Sequence, residues 1–204
     1  MRVVRQPVHT GSMPSTSPPA GLLLTPGAGA DRDHPTLRAV EDRLARHDPP
    51  LPVARVDFPY RIAGKRAPDR PNVAVPHVRA EAEAFAGRVG VTTDRLLLGG
   101  RSYGGRMCSM TVADGLPAAG LVLLSYPLHP PGKPERLRVD HFGALDVPVL
   151  FVSGDRDPFG SPDELAAHTA AIPGPVTRIA LPGTHDVKDL DAISDAVATW
   201  IDGL

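Results

Sequence analysis

Three consecutive leucines, Leu96 to Leu98, run directly into Gly99-Gly100-Arg101-Ser102-Tyr103-Gly104-Gly105, and this stretch constrains the chain more than any other. The apolar run reads as a buried strand, and Arg106 to Asp114 reads as a helix. A strand that enters a helix through Gly100-x-Ser102-x-Gly104 must turn sharply. Glycines on either side remove the side chains that would clash in so tight a bend, and the serine is left at its tip. The first amides of the following helix point toward that serine, where negative charge develops in acyl transfer. A serine hydroxyl is a poor nucleophile until it is exposed, oriented and offered a base. The reading therefore depends on what the rest of the chain brings to Ser102.

Short apolar strands alternate with helical spacings along the whole sequence. Gly21 to Thr25 reads as a buried strand ended by Pro26-Gly27-Ala28-Gly29, and Val53 to Phe58 as a strand closed by Pro59. Ala119 to Ser125, Val147 to Ser153 and Val176 to Leu181 read as further strands. Helices are predicted over Thr36 to His47, Pro76 to Val89, Pro162 to Ala171 and Asp189 to Ile201, with residues 59–75 as loop. This pattern predicts the α/β class: a mostly parallel central sheet with helices on both faces and sites at the carboxyl ends of the strands. Arg2 to Val8 fits an edge strand that Pro7 weakens. Gly11 to Ala20, rich in Ser, Pro and Thr, reads as a mobile tail or loop. Residues 1–20 are thus expected as tail or edge strand, and residues 21–204 as one domain.

Composition removes several function classes. The formal net charge of -1 and the 4% aromatic content disfavour a nucleic-acid surface. The single cysteine, Cys108, forbids an intrachain disulfide and is expected as a small buried side chain. No apolar run has the length of a membrane span. Arg2 and Arg5 precede no apolar h-region, so the expected location is cytoplasmic. Gly27-x-Gly29 lacks the third glycine of a dinucleotide loop, and no Gly-Lys-Ser/Thr occurs. Neither an H-E-x-x-H motif nor a Cys/His cluster is present, so no metal and no cofactor are expected.

A nucleophilic serine needs a base, an orienting acid and an oxyanion hole. His129, His141, His168 and His185 follow Ser102 in the chain. His185 alone among them lies in a loop, Leu181 to Asp186, between a predicted strand and the last helix. His168 falls mid-helix, and His129 and His141 in the irregular segment Tyr126 to Asp146. Gly154-Asp155-Arg156-Asp157-Pro158 offers two carboxylates after a strand. The Gly-x-x-Asp spacing and the following proline favour Asp157 as the acid. Asp155 then structures the turn through backbone amides or Arg156. Asp186 adjoins the histidine too closely to orient its ring and is expected to cap the last helix. For the oxyanion hole, the backbone N–H of Tyr103 and that of Ala28 are the expected donors.

At these residues the chain resembles a known family. It is similar to the small α/β-hydrolase-like group named after a testis-expressed protein and a histone-acetyltransferase-complex subunit, which includes bacterial dienelactone-hydrolase-like members. The markers are Thr25-Pro-Gly-Ala-Gly-Ala-Asp31, Gly99-Gly-Arg-Ser-Tyr-Gly-Gly-Arg106, Ser125-Tyr-Pro-Leu-His-Pro-Pro-Gly-Lys-Pro134 and Ser153-Gly-Asp-Arg-Asp-Pro-Phe-Gly160. The third is the most specific. The resemblance spans roughly residues 20–204 and implies an α/β-hydrolase fold with Ser102, Asp157 and His185 as a catalytic triad. Thr25 departs from the histidine many hydrolases carry before the oxyanion glycine, and Tyr103 from the methionine frequent in this family. Larger relatives insert a lid where Tyr126 to Asp146 runs, so a minimal lid and an open pocket are expected. His129 and Lys133 are candidates for substrate contact; the prolines equally serve to stiffen that loop. The expected activity is serine hydrolysis of a small-molecule ester or thioester through an acyl-enzyme. A peptidase or cofactor-free haloperoxidase would use the same triad. A non-catalytic interaction module on the same fold is the alternative of a different class.

Overall fold

The computed structural model describes the backbone of Arg2–Arg5 and all of residues 18–204. In chain order the elements are β1 (Arg2–Arg5), β2 (Gly21–Thr25), α1 (Pro35–Ala45), β3 (Val53–Arg55), α2 (Pro59–Ile62), α3 (Pro71–Val89), β4 (Leu96–Arg101), α4 (Tyr103–Ala113), β5 (Gly120–Leu124), β6 (Val149–Gly154), α5 (Pro162–Thr169), β7 (Val176–Leu181) and α6 (Leu190–Ile201). The strands form one seven-stranded sheet in the order β1-β7-β6-β5-β4-β2-β3. Strands β2 to β7 are parallel to their neighbours, and β1 pairs antiparallel with β7 at the edge.

Alternation along each strand divides the core into two layers. Leu23, Leu98, Leu121 and Phe151 pack with Val78, Phe85 and Met107 of α3 and α4. Leu22, Leu24, Leu97, Val122 and Leu150 pack on the opposite face with Leu37, Val40, Val197 and Trp200 of α1 and α6. Both faces are therefore dry, which is why these strands read as continuous apolar runs rather than alternating ones. The chain moves from β2 outward to β3 and then returns to β4 on the other side of β2. The strand order thus reverses between β2 and β4, whose carboxyl ends frame the crevice where open α/β sheets place their ligands.

Two local departures from the sequence expectation have simple causes. The helix expected from Pro76 begins at Pro71, which occupies its first turn, where a missing N–H costs nothing. Pro76 lies inside α3; the carbonyl it leaves unpartnered, on Asn72, belongs to an exposed residue that water can satisfy. Within the expected loop 59–75, Pro59–Ile62 closes one helical turn, α2, which buries Tyr60. The segment Tyr126 to Asp146 carries only a 3₁₀ turn at Phe142–Ala144, so the fold has no inserted lid domain. Residues 6–17, which include Pro7 and most of the expected tail, lie outside the described residues. Among the described residues no helix is long and apolar enough to cross a membrane.

The glycine at position 104 has a steric reason. A Cβ there would sit 2.5 Å from the carbonyl oxygens of both Thr25 and Pro26, where α4 crosses the end of β2. Backbone cannot yield as a side chain can, so Gly104→Ala is expected to destabilise the fold by about 3 kcal/mol. Gly87, in α3, has nothing within 4 Å of its Cβ position and an ordinary helical φ. Gly87→Ala is therefore expected to stabilise by roughly 0.5–1 kcal/mol. Urea denaturation midpoints of the two variants should move in opposite directions.

Candidate active site

Ser102 stands between β4 and α4 with φ 52° and ψ −116°, a left-handed conformation that side chains other than glycine rarely adopt. Such strain costs on the order of 1–3 kcal/mol and persists only where its surroundings enforce it. Here the Ser102 amide donates to Leu124 O of β5 at 2.8 Å, while Gly100 and Gly104 let β4 and α4 lie against Thr25. The hydroxyl is thereby lifted to the carboxyl edge of the sheet.

The loops after β6 and β7 meet the same point. His185 Nε2 lies 2.8 Å from Ser102 Oγ. Its Nδ1 lies 2.8 Å from Asp157 Oδ2 and 3.0 Å from Oδ1. A carboxylate only accepts, so Nδ1 carries the ring proton and Nε2 is left to accept from the serine. Asp157 is only 4% exposed, and its Oδ1 also accepts from the Phe159 amide at 2.8 Å. The Phe159 ring lies over the imidazole with centroids 4.0 Å apart.

The remaining sequence candidates take distinct places. Asp155 accepts from the Gly183 amide at 2.9 Å and ties the turn after β6 to the loop after β7. Asp186 does not cap the last helix, because its carboxylate turns to Arg101 at 3.3 Å and to Lys188. Asp189 caps α6 instead, accepting from the Ala192 amide at 2.9 Å. Gly27 backs onto Ser102, since a Cβ on it would lie 3.5 Å from Ser102 Cβ. The neighbouring Ala28 amide and that of Tyr103 have no acceptor among the described residues. His129 is buried at 5% exposure, with Nδ1 donating to Pro130 O at 2.9 Å and Nε2 3.4 Å from Glu164. Lys133 is exposed on the outer loop. Cys108 is buried under the elbow, and burial pushes its thiol up to about 12, far from a reactive thiolate. No group of three His, Cys, Asp or Glu among the described residues is placed to hold a metal ion.

A family model described as an alpha/beta hydrolase domain matches residues 18–198. The chain belongs to the α/β-hydrolase family. Among solved structures, this hydrolase-family chain is similar to Est1E from Butyrivibrio proteoclasticus with ferulic acid bound, at 16% identity and a TM-score of 0.73, over 99% of this chain and 94% of that one. It is similar to the dienelactone hydrolase from Anabaena variabilis at 14% identity and a TM-score of 0.73, covering 99% and 97% of the two chains. It also resembles the RedJ thioesterase of the prodiginine biosynthetic pathway in Streptomyces coelicolor, at 20% identity and a TM-score of 0.63, over 95% and 91%. At these identities the likeness is one of fold.

Several links that position the candidate site leave no trace in the local spacing of the sequence. Arg101 is 14% exposed in its side chain and donates to His185 O at 3.2 Å as well as to Asp186. Its other terminal nitrogen lies 3.2 Å from where a Cβ on Gly27 would stand, so one guanidinium reaches the loops after both β2 and β7. Tyr60 accepts from the Gly29 amide at 3.2 Å and steadies the same β2 loop. The Tyr103 hydroxyl donates to Asp69 O at 2.7 Å, pinning its ring beneath the segment that leads into α3. Burial holds that hydroxyl well above the usual phenol range. Each of these links joins residues more than 25 positions apart, which no local spacing reveals.

A second serine–histidine pair lies deeper, with Ser109 Oγ 2.8 Å from His141 Nε2. The Ser109 hydroxyl donates to Arg106 O at 2.9 Å, so its one proton is committed and His141 must donate rather than accept. Burial, and then the Arg106 charge, lower the His141 pKa from 6.5 to about 4. Between those values the unfolded chain binds a proton that the native ring refuses, so stability rises with pH across that window and is lost on acidification. His141→Gln keeps a donor and removes the titration. It should resist the acid loss between pH 6.5 and 4, which in the wild type is on the order of 3 kcal/mol, read from urea midpoints at each pH.

Proposed function

We propose that this chain is a serine hydrolase that cleaves a carboxylic ester or thioester through an acyl-enzyme. The observation that carries this reading is the continuous line Asp157–His185–Ser102, with 2.8 Å at each link and the serine at a strained turn. In this reading His185 removes the Ser102 proton as the oxygen attacks the acyl carbonyl. Asp157 holds the tautomer and stabilises the imidazolium. The Tyr103 and Ala28 amides receive the oxyanion; losing one such donor typically costs about 3 kcal/mol of barrier. His185 then protonates the leaving alcohol or thiol, and water repeats the sequence on the acyl-enzyme. The likeness to a named thioesterase and to a dienelactone hydrolase favours acyl transfer over other uses of the fold. The complete set of three residues argues against a purely non-catalytic module, which has no use for a buried acid behind a histidine. Reaction in the cytoplasm on a small soluble acyl compound belongs to the same proposal.

The test is covalent labelling. A fluorophosphonate should add once to the wild type, and peptide mapping should place the adduct on Ser102; a folded, unlabelled protein would overturn the proposal. Asp157→Asn should lower kcat by about 10³–10⁴, because an amide favours the wrong imidazole tautomer. Asp155→Asn retains an acceptor for Gly183 and should cost less than about tenfold. Equal losses in the two variants would remove Asp157 from its role.

A further inference from the structure

The two amides assigned to the oxyanion arrive on unrelated segments. Tyr103 opens α4, whose start is anchored where the Ser102 amide donates to Leu124 O at 2.8 Å. Ala28 stands in the loop after β2, where it and Gly29 are both exposed. Within that loop the Ala30 amide donates to Gly27 O at 3.2 Å, near the long end of the range. Two donors serve one oxygen only where their separation is fixed, since each must end within hydrogen-bond reach of the same point. A loop so lightly closed needs support from outside itself.

The chain around α2 supplies it. Gly29, next to Ala28 and at φ 79°, donates its amide to Tyr60 Oη at 3.2 Å. Tyr60 is held in turn at its backbone, where its amide donates to Asp69 Oδ2 at 2.9 Å. The main-chain carbonyl of Asp69 accepts from the Tyr103 hydroxyl at 2.7 Å. Gly29, Tyr60, Asp69 and Tyr103 thus form a continuous path that starts beside one amide and ends on the residue carrying the other. Phe58 wedges the path from inside. Fully buried, it meets the Tyr103 ring edge-on with centroids 4.9 Å apart and stacks with the Tyr60 ring at 6.4 Å. Tyr60 is buried too, so its hydroxyl cannot leave Gly29 without disturbing close-packed neighbours. Asp69 bonds both tyrosines, one through its carboxylate and one through its carbonyl.

We propose that Asp69 is a positioning residue for the oxyanion hole: through Tyr60 and Tyr103 it fixes the separation of the Ala28 and Tyr103 amides. This rests on the hydrolase reading above and gives the segment from α2 to α3 a part in that same site. Asp69 touches no reacting atom and acts through amides that do. Acylation and deacylation both pass through an oxyanion, so a misplaced donor slows both alike. The loss then falls on kcat and leaves KM in place.

Turnover of p-nitrophenyl acetate and inhibition by trifluoroacetophenone test this together. On the ketone, the Ser102 oxygen bonds to the carbonyl carbon and the serine proton passes to His185. The carbonyl π pair becomes an oxyanion, and no leaving group departs. Asp69→Ala leaves the Tyr60 amide without its acceptor. It should lower kcat about tenfold with KM within about twofold, and weaken the ketone by the same factor as kcat. Asp69→Asn keeps an oxygen facing the Tyr60 amide and should restore most of both. Tyr60→Phe keeps the buried ring and removes the acceptor of the Gly29 amide; it should match Asp69→Ala, and serves where the alanine variant does not fold. The two losses should not add in the double variant, because one path is cut twice. A lowered urea midpoint with kcat and ketone affinity intact would make Asp69 purely structural and overturn the proposal, as would a loss expressed in KM alone. Fluorophosphonate labelling keeps the two readings apart. A labelled wild type with unchanged variants removes the positioning role alone, and a folded, unlabelled wild type removes both.

Discussion

The structure depends on one close approach of backbone to backbone. At the carboxyl ends of β2 and β4, the start of α4 crosses so near to Thr25 and Pro26 that side chains at 100 and 104 have no room. Helix α4 can therefore lie almost in contact with the sheet it leaves, and the residue between strand and helix is forced into positive φ. Ser102 is strained because its neighbours are packed, and the strained turn is what presents its half-buried hydroxyl at the edge of the sheet. The leucines of β4, fully buried on both faces of the sheet, hold this crossing in place. Core packing and hydroxyl presentation are thus two consequences of the same geometry.

The two serine–histidine pairs show that the hydrogen bond alone decides little. Both span 2.8 Å. Ser109 lies inside α4 with its proton held by Arg106 O, and its histidine is backed by no carboxylate and kept neutral by burial. Ser102 lies at the helix start, where no intrahelical carbonyl competes for its proton, and its histidine is backed by Asp157. The two pairs differ in the third group and in the freedom of the hydroxyl, the two features that nucleophilic catalysis by serine requires.

The central strands β2, β4, β5 and β6 are legible because they are buried on both faces and so read as apolar runs, whereas β3 and β7, nearer the edges, are only partly buried. The elbow was legible because its steric demand falls on adjacent residues. Element ends were less so. The prolines at 71 and 76 each signal a possible helix start, and only packing of Ala74 and Val78 against the core selects the earlier one. The single turn α2 rests on the burial of Tyr60, a tertiary effect with no period of its own. Proximity to the last helix points to Asp186 as a cap, but Arg101, arriving from another strand, offers it an opposite charge. Nothing in the spacing of Arg101 connects it to residue 185, whose carbonyl it reaches in the fold.

These long-range ties explain how two flexible-looking loops can hold a three-residue line. The turn after β6 and the loop after β7 are joined by Asp155 N–H to Leu181 O at 2.8 Å, Arg156 N–H to Gly183 O at 2.9 Å and Gly183 N–H to the Asp155 carboxylate at 2.9 Å. Asp157 and His185 therefore sit on one hydrogen-bonded unit rather than on two independent loops. Arg101 fastens that unit to the strand that carries Ser102. The strained serine, the acid–base pair and the β2 loop are thus fixed to each other before any substrate arrives. In the proposed mechanism, such preorganisation would leave little reorganisation to be done as charge develops at the oxyanion. The tie from Arg101 to the His185 main-chain carbonyl fixes where the imidazole begins and leaves both ring nitrogens to Ser102 and Asp157.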